Sequence, residues 1–386
     1  MRAVKRPSGS HLRPRIGLDL HVVDGIYQGS RTHCLELFSR VIATTPECDF
    51  VIMAANPQNL AGFSTSFASS NVELVAMPHA IPATRLLWQL PRLVKQHCID
   101  LLHTQYIGPP FSPCATAVTV HDILFESHPE YFARFFTLRS RILVRNSVRN
   151  SVKVFTVSEF SRKEIVERFL TKTDKIHTIL NGVDRVRFYP GKDGQEHLDD
   201  FGLISGQYFL SVGRLEPRKN HVNLLRAWAK LSRPRPRLVI VGQRHFGYNE
   251  ALNLISTLQL QRDVVVLDRV ADDVLPAIFR HAKAFVYCSF AEGFGMPVLE
   301  AMASGVPVIS SRTTALSEIC EGAALLVQPH DVNEISAAIA RLDQTAGIRE
   351  DLIRRGMTRI LAFSWDNSAA IVRNAYLAHF GLVGPG

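Results

Sequence analysis

The sequence predicts an α/β protein built from two doubly wound parallel sheets that face each other, and three observations carry that prediction. Short β-branched runs alternate with longer amphipathic stretches, the pattern of strand–helix–strand units that close a parallel sheet with helices on both faces. The alternation runs through the first half of the chain, stops at a polar stretch, and starts again. A length of 386 residues suits two domains of roughly 100–200 residues, each able to bury its own core.

In the first half, residues 16–23, 50–55, 72–77, 100–105, 115–121, 152–157 and 175–180 read as strands, with helical patterns at 32–43 and 85–97 between them. The second series comprises 208–212, 237–241, 264–267, 284–289, 306–310 and 324–327. The stretch 191–200, opening Gly191-Lys192-Asp193-Gly194-Gln195-Glu196, carries almost nothing apolar and is the expected linker. The expected domains are therefore 15–190 and 200–362. Residues 363–386 form a terminal segment with apolar positions at helical spacing (Ala369, Ile371, Val372, Ala375, Tyr376), expected to pack back on the first domain. Ligands of doubly wound sheets bind outside the carboxyl ends of the strands, so two facing sheets place a ligand in the cleft between them.

Composition narrows the function. The 46% hydrophobic and 20% charged fractions are those of a globular protein. Six scattered cysteines without a C-x-x-C pair give neither a disulfide framework nor zinc spacing, and suit buried thiols in a reducing compartment. The N-terminal residues 1–14 carry charge but no apolar core, so they read as a loose tail rather than a secretory signal. No apolar run approaches the ~20 residues that span a bilayer. The net charge of +9 fits an ordinary basic enzyme, or one meeting an anionic substrate, an anionic membrane or nucleic acid.

The most informative stretch is Glu292-Gly293-Phe294-Gly295-Met296-Pro297-Val298-Leu299-Glu300, followed by Ala-Met-Ala-Ser-Gly305-Val-Pro-Val. Gly293 and Gly295 permit a tight turn with close backbone approach. Pro297 suits the first turn of a helix and Gly305 its end. The free N–H groups of that helix start can receive anionic or hydroxyl-bearing groups. A plain crossover with two solvated glutamates has the same outline. The full string, however, resembles the signature of the large retaining glycosyltransferase family four, which includes sucrose synthases and bacterial mannosyltransferases, and it matches every fixed position. The resemblance implies the GT-B fold of two Rossmann-like domains. It also implies that Glu292 contacts hydroxyls of the transferred sugar, that Glu300 holds the ribose of the nucleotide, and that the backbone of Gly293, Phe294, Gly295 and Met296 lies along the donor.

A second segment, Gly213-Arg214-Leu215-Glu216-Pro217-Arg218-Lys219-Asn220, takes a strand into a glycine turn and then into two adjacent cations. Alone it reads equally as a solvated basic turn or as a diphosphate grip, since Arg offers a planar fork and Lys a point charge. The family resemblance implies the grip: Arg218 and Lys219 on the donor phosphates, with Gly213, Arg214 and Asn220 beside them. Cations placed there stabilise the charge that grows on the leaving diphosphate, so no metal and no further cofactor is expected.

In the first half, Val118-Thr-Val-His121-Asp122 ends a strand and is similar to the family's V-H-D. It implies His121 beside the donor sugar, with Asp122 orienting or assisting it. The loop Asp24-Gly25-Ile26-Tyr27-Gln28-Gly29 departs from the family pattern, keeping Gly25 and Gly29; Gly29 is expected near the donor phosphate. Val157-Ser158-Glu159-Phe160-Ser161 and Asn181-Gly182-Val183-Asp184 also resemble family segments, but an Asn-Gly turn needs no functional explanation.

Residues 132–150 combine five arginines with a dense apolar set. They read either as a core helix with solvated arginines or as a basic amphipathic helix lying on an anionic membrane. The resemblance to enzymes of polysaccharide biosynthesis implies a cytoplasmic protein, with peripheral contact at the inner membrane through this helix. It implies a nucleotide-sugar donor, GDP-mannose by the string Leu215 to Asn220 or else a UDP-sugar, a saccharide or lipid-linked acceptor, and no nucleic-acid partner. A sugar-nucleotide epimerase of the same fold and a non-catalytic nucleotide-sugar binder are the competing classes.

Overall fold

The computed structural model describes residues 13–24, 29–78, 81–244, 248–268 and 270–382. Residues 1–12 of the tail, and Gly25 with the rest of the 25–28 loop, lie outside the described residues. The strands of the first half are β1 (Arg15–Asp19), β2 (Asp49–Ala54), β3 (Val72–Ala76), β4 (Leu101–Gln105), β5 (Ala115–Thr119), β6 (Lys153–Thr156) and β7 (Ile176–Thr178). Those of the second are β8 (Tyr208–Val212), β9 (Arg237–Val241), β10 (Val264–Leu267), β11 (Ala284–Tyr287), β12 (Val308–Ser311) and β13 (Ala324–Val327). Among the described residues every strand pairing is parallel, in the orders β3-β2-β1-β4-β5-β6-β7 and β10-β9-β8-β11-β12-β13. Both sheets thus repeat the 3-2-1-4-5-6 order, in which the chain reverses direction between the first and fourth strands and opens a crevice at their carboxyl ends.

The central strands are apolar throughout because both faces are covered: Leu18, Phe50, Val51, Ile52 and Leu210, Val239, Phe285, Val286 are all fully buried. Several strand ends differ from the sequence pattern. The first strand stops at Asp19 rather than at 23, because His21–Asp24 folds into a 3-10 turn. The strand expected from 306 begins at Val308, after Gly305 takes a left-handed φ of 71° to end the preceding helix. The expected linker is not wholly polar or irregular: Glu196–Asp199 forms a helical turn that buries Leu198 in the second core.

The helix Trp365–His379 lies in the core of the first domain, where Trp365, Ala369, Val372, Tyr376 and Leu377 join Phe38, Val41 and Phe155. Tyr376 hydroxyl hydrogen-bonds His103 within the sheet, Ser368 donates to Leu180 O at 2.5 Å, and Arg373 pairs with Glu47 at 2.7 Å. The chain therefore crosses between the two sheets twice, once after β7 and once before Trp365. Trp365 packs so tightly on the Asn181-Gly182 turn that a Cβ on Gly182 would lie 2.6 Å from its ring. Among the described residues, no helix is long and apolar enough to cross a membrane.

Trp365→Ala deletes a buried indole at this crossing and is expected to cost about 3–5 kcal/mol. Denaturant unfolding followed by intrinsic fluorescence measures it, and a loss below about 1 kcal/mol contradicts the docking role given to the helix.

Candidate active site

The crevice of the second sheet lies between the carboxyl ends of β8 and β11. The first leads into Gly213–Asn220 and the second into the Glu292 loop, so topology alone brings these two segments together. Arg218 and Lys219 sit in a 3-10 turn, Pro217–Lys219, that ends at Asn220 in a left-handed conformation with φ 60°. Lys219 Nζ donates to Glu292 Oε1 at 2.7 Å, and Arg218 Nη1 donates to Glu292 Oε2 at 2.7 Å. Tyr287, the last residue of β11, donates its hydroxyl to Glu292 Oε1 at 3.0 Å and accepts from Lys219 Nζ at 2.6 Å. Arg218 also donates to Ala291 O at 2.6 Å and to Glu216 Oε1 at 2.7 Å.

Glu292 is only 6% exposed. Burial pushes its carboxyl up, but the charges of Arg218 and Lys219 and their hydrogen bonds prevail and hold it down at about 2. Burial lowers Lys219, and the Glu292 carboxylate opposes that shift. Burial likewise works against the Arg218 charge, but Glu292 and Glu216 reverse the balance and raise it. The result is a desolvated cluster in which two cations share one carboxylate and are fixed in place by it.

The backbone of Glu292 is pinned from the next crossover. Its N–H donates to Thr314 Oγ1 at 3.0 Å. Thr314 has a φ of 50°, a genuine outlier for a β-branched residue and a sign of strain held in place by its surroundings. Gly295 adopts a φ of 114° at the start of the helix Met296–Ala303, and a Cβ there would meet Leu316 at 2.6 Å.

The first domain closes the other side. Gly293 is the point of nearest approach: a Cβ on it would lie 2.6 Å from Asp122. Ser158 and Ser161 both donate hydroxyls to Gly293 O, at 2.8 and 3.4 Å. Glu318 reaches across to accept from the N–H groups of Glu159 and Phe160, at 3.1 and 3.0 Å, at the start of the helix Glu159–Phe169. Gly29, the first residue of the helix Gly29–Thr44, faces Met296 across the cleft at 3.5 Å from its would-be Cβ.

His121 and Asp122 do not act on each other. Neighbouring residues leaving a strand point to opposite sides. Asp122 accepts from Leu124 N–H at 3.1 Å and from the Tyr106 hydroxyl at 3.4 Å, and burial raises its carboxyl. The orienting partner of His121 is Gln105, whose Oε1 lies 3.0 Å from Nε2. His33 packs edge-on to His121 with centroids 4.6 Å apart and is itself held by Asn181 Oδ1 at 2.7 Å. Burial, with His33 and His103 nearby, holds His121 well below the usual histidine range, so its imidazole is neutral.

Other expected contacts are redistributed. Asn220 turns its amide inward, donating to Cys288 O at 2.8 Å and Pro329 O at 2.7 Å, and so braces the crevice. The Phe294 ring is buried against Phe363 at 5.9 Å, leaving only its backbone for a ligand. Arg214 is half-buried in the turn and Gly213 lies 3.5 Å, by its would-be Cβ, from the Lys219 stem. Glu300 is half-buried at a small interdomain cavity with Thr32, Arg187, Asp272, Met296 and Trp365, and burial pushes its carboxyl up to about 7.

Residues 203–359 match the model of glycosyl transferases group 1, and residues 27–187 that of glycosyltransferase family 4. The chain is 34% identical over 326 residues to O-antigen chain mannosyltransferase B of Escherichia coli, covering 81% of this chain and 85% of that protein. The chain belongs to the family 4 glycosyltransferases. It is also 28% identical to the O-antigen chain mannosyltransferase RfbU of Salmonella typhimurium, over 72% of this chain and 70% of that one. The fold is that of sucrose-phosphate synthase from Thermosynechococcus elongatus, with a TM-score of 0.77 at 21% identity, over 96% of this chain and 100% of that one. WaaG, a glycosyltransferase involved in lipopolysaccharide biosynthesis, aligns with a TM-score of 0.73 at 14% identity, over 93% and 99% of the two chains. The molecule is thus a GT-B glycosyltransferase.

Several residues of this glycosyltransferase cleft carry no local sequence signal: Tyr287 reads as core strand, Gln105 as a strand end, His33 as a helix residue and Thr314 as a turn. Ser158, Ser161 and Asn181 stand in recognisable segments, and the contacts of the two serines with Gly293 O give the first of these segments a role.

Four buried histidines set the acid stability of the enzyme. Burial holds His33 and His221 at about 4, His103 at about 3, and His121 well below its usual value. The unfolded chain binds these protons near pH 6.5 and the native fold does not until about 4, so this stability is complete above 6.5 and is lost as pH falls through that window. His33 and His221 each account for about 3 kcal/mol over it. The raised carboxyls of Glu300, Asp122 and Glu36 act in the opposite sense. Thermal melting between pH 7 and 4 is expected to fall steadily; a flat or rising profile contradicts neutral histidines.

Proposed function

We propose that the chain is a retaining mannosyltransferase that takes mannose from GDP-mannose and adds it to a saccharide or lipid-linked saccharide in polysaccharide biosynthesis. The observation that carries the donor half is the fixed pair Arg218 and Lys219 at the crevice of the second sheet, beside a glycine-lined helix start. A diphosphate entering there meets two prepaid cations and free N–H groups, so the reading requires no metal. In this reading Glu292, kept ionised between the two cations, accepts hydroxyls of the transferred sugar, and the half-buried Glu300 meets the ribose. The names of the two O-antigen mannosyltransferases support mannose as the sugar.

In the proposed step an acceptor hydroxyl oxygen bonds to the anomeric carbon as the bond from that carbon to the diphosphate oxygen breaks. The leaving diphosphate takes the hydroxyl proton from the same face, so configuration is retained. Arg218 and Lys219 then stabilise more charge in the transition state than in the ground state, which is what accelerates the step. Neutral His121, held by Gln105, supplies a hydrogen bond to the sugar without adding charge.

A thermal-shift panel of nucleotide sugars tests the donor. GDP-mannose is expected to raise the melting temperature and UDP-sugars not to, and Lys219→Ala and Arg218→Ala are expected to abolish most of that shift. Glu292→Ala is expected to lower turnover more than donor affinity. Stabilisation by UDP-sugars alone overturns GDP-mannose, and full activity in both basic variants overturns the diphosphate grip. Formation of an epimer without acceptor would place the chain in the epimerase class.

Membrane contact is part of the same proposal. In the helix Arg134–Asn150 the buried face is Thr137, Ser140, Val144, Ser147 and Val148. The larger apolar side chains point outward: Phe135 is 79% exposed, Leu138 56% and Ile142 60%. Their i, i+3, i+7 spacing forms one stripe flanked by Arg134, Arg139 and Arg141, which suits an anionic bilayer face. Phe135→Ser with Leu138→Ser is expected to abolish co-flotation with phosphatidylethanolamine–phosphatidylglycerol vesicles; equal flotation of the two proteins overturns the contact.

A further inference from the structure

The crevice of the first sheet, between the carboxyl ends of β1 and β4, carries a second polar cluster. Asp19, the last residue of β1, is fully buried. Its carboxylate is ion-paired to Arg85 and lies 3.0 Å from His21 Nδ1, and it accepts from His21 N–H at 3.3 Å. Arg85 Nη1 lies 3.1 Å from the same His21 nitrogen. Burial works to raise the Asp19 carboxyl, but His21 and Arg85 lower it, so it is ionised. Leu18 pairs with His103 and Gln105 with Thr119, so Asp19 and the Gln105–His121 pair share one carboxyl edge of the sheet. The helix Gly29–Thr44 ties the two together: Cys34 is raised by burial and by the Asp19 charge, and its neighbour His33 touches His121.

Arg85 opens a π-helical turn, Arg85–Gln89, whose wider loop is a recurrent feature of functional sites. The turn presents Trp88, 58% exposed, with the Arg92 guanidinium 5.3 Å from its ring centre.

We propose that His21, Arg85 and Trp88 form the acceptor subsite, with buried Asp19 as their positioning residue, and that the subsite takes a neutral saccharide rather than a phosphorylated one. This rests on the glycosyltransferase reading above. Arg85 is paired one-to-one with the buried Asp19, whereas Arg218 and Lys219 share the Glu292 carboxylate, so a phosphate at the first crevice would meet a single ion pair beside a buried anion. Sugar hydroxyls, which both donate and accept, match an imidazole and a guanidinium fork. The indole ring offers an apolar surface to the C–H face of a pyranose. His21 Nδ1 is engaged within the cluster, leaving Nε2 as the ring nitrogen to meet the ligand.

The test compares transfer to p-nitrophenyl α-mannoside and to mannose 6-phosphate by the wild type and by His21→Ala, Arg85→Gln and Trp88→Ala. GDP binding is measured in parallel by calorimetry. The neutral acceptor is expected to be used and the phosphate not. Each variant is expected to raise the KM for the neutral acceptor about tenfold, the loss of one good contact, while GDP affinity is unchanged. His21 and Trp88 are partly exposed, so their variants keep the test open if Arg85→Gln fails to fold. Unchanged KM in those two, a matching loss of GDP affinity, or transfer to the phosphate alone overturns the subsite. So does a wild type that binds GDP and uses no neutral saccharide. A wild type that binds no nucleoside diphosphate instead defeats the donor reading on which the subsite rests.

Discussion

The Glu292 carboxylate, buried between Arg218 and Lys219, is the constraint around which the rest of the molecule is arranged. An isolated carboxylate at that depth would be protonated or excluded, because desolvation of one charge costs several kcal/mol. Here two cations, the Tyr287 hydroxyl and the strained Thr314 turn hold it ionised and immobile. In return, the carboxylate keeps two adjacent cations from repelling each other in a dry crevice. Neither half of the cluster is tolerable alone, so the two loops that carry them must meet. The reversal of strand order between β8 and β11 is what makes them meet.

The same loop also sets how close the first domain comes. Gly293 has no side chain where Asp122 approaches, and its carbonyl takes two serine hydroxyls from across the cleft. Glu318 adds a carboxylate at the positive end of the helix Glu159–Phe169, a favourable end for negative charge. The chemistry-bearing loop and the domain interface are therefore one structure, and a change in one is felt in the other.

The fold was legible in the sequence because parallel strands buried on both faces must be nearly all apolar, and because the alternation restarts once. Strand ends were less legible: the turn at His21–Asp24 and the buried Leu198 within a polar stretch depend on distant neighbours, not on local composition. In the site, Glu292, Arg218, Lys219 and Gly293 stand in dense local strings and could be read directly. Gln105, His33, Tyr287 and Thr314 could not, since each acts through a partner far away in sequence or sits where an apolar or turn residue is the ordinary expectation. Asp122 was paired with His121 by adjacency, and alternation of side chains about the strand end sends them apart. The helix Arg134–Asn150 left two readings open, because its pattern gives amphipathicity without saying which face turns inward.

The final helix, seated in the first domain, gives the molecule two covalent bridges between its sheets instead of one. A single tether would let the halves swing and twist independently. A pair of crossings bonded side by side, the Ser368 hydroxyl to Leu180 O, resists independent twisting of the two sheets. Any separation of the two sheets would be smallest beside the crossings and largest away from them. Glu300 and Thr32 line the cavity beside Trp365 and so lie next to that paired crossing.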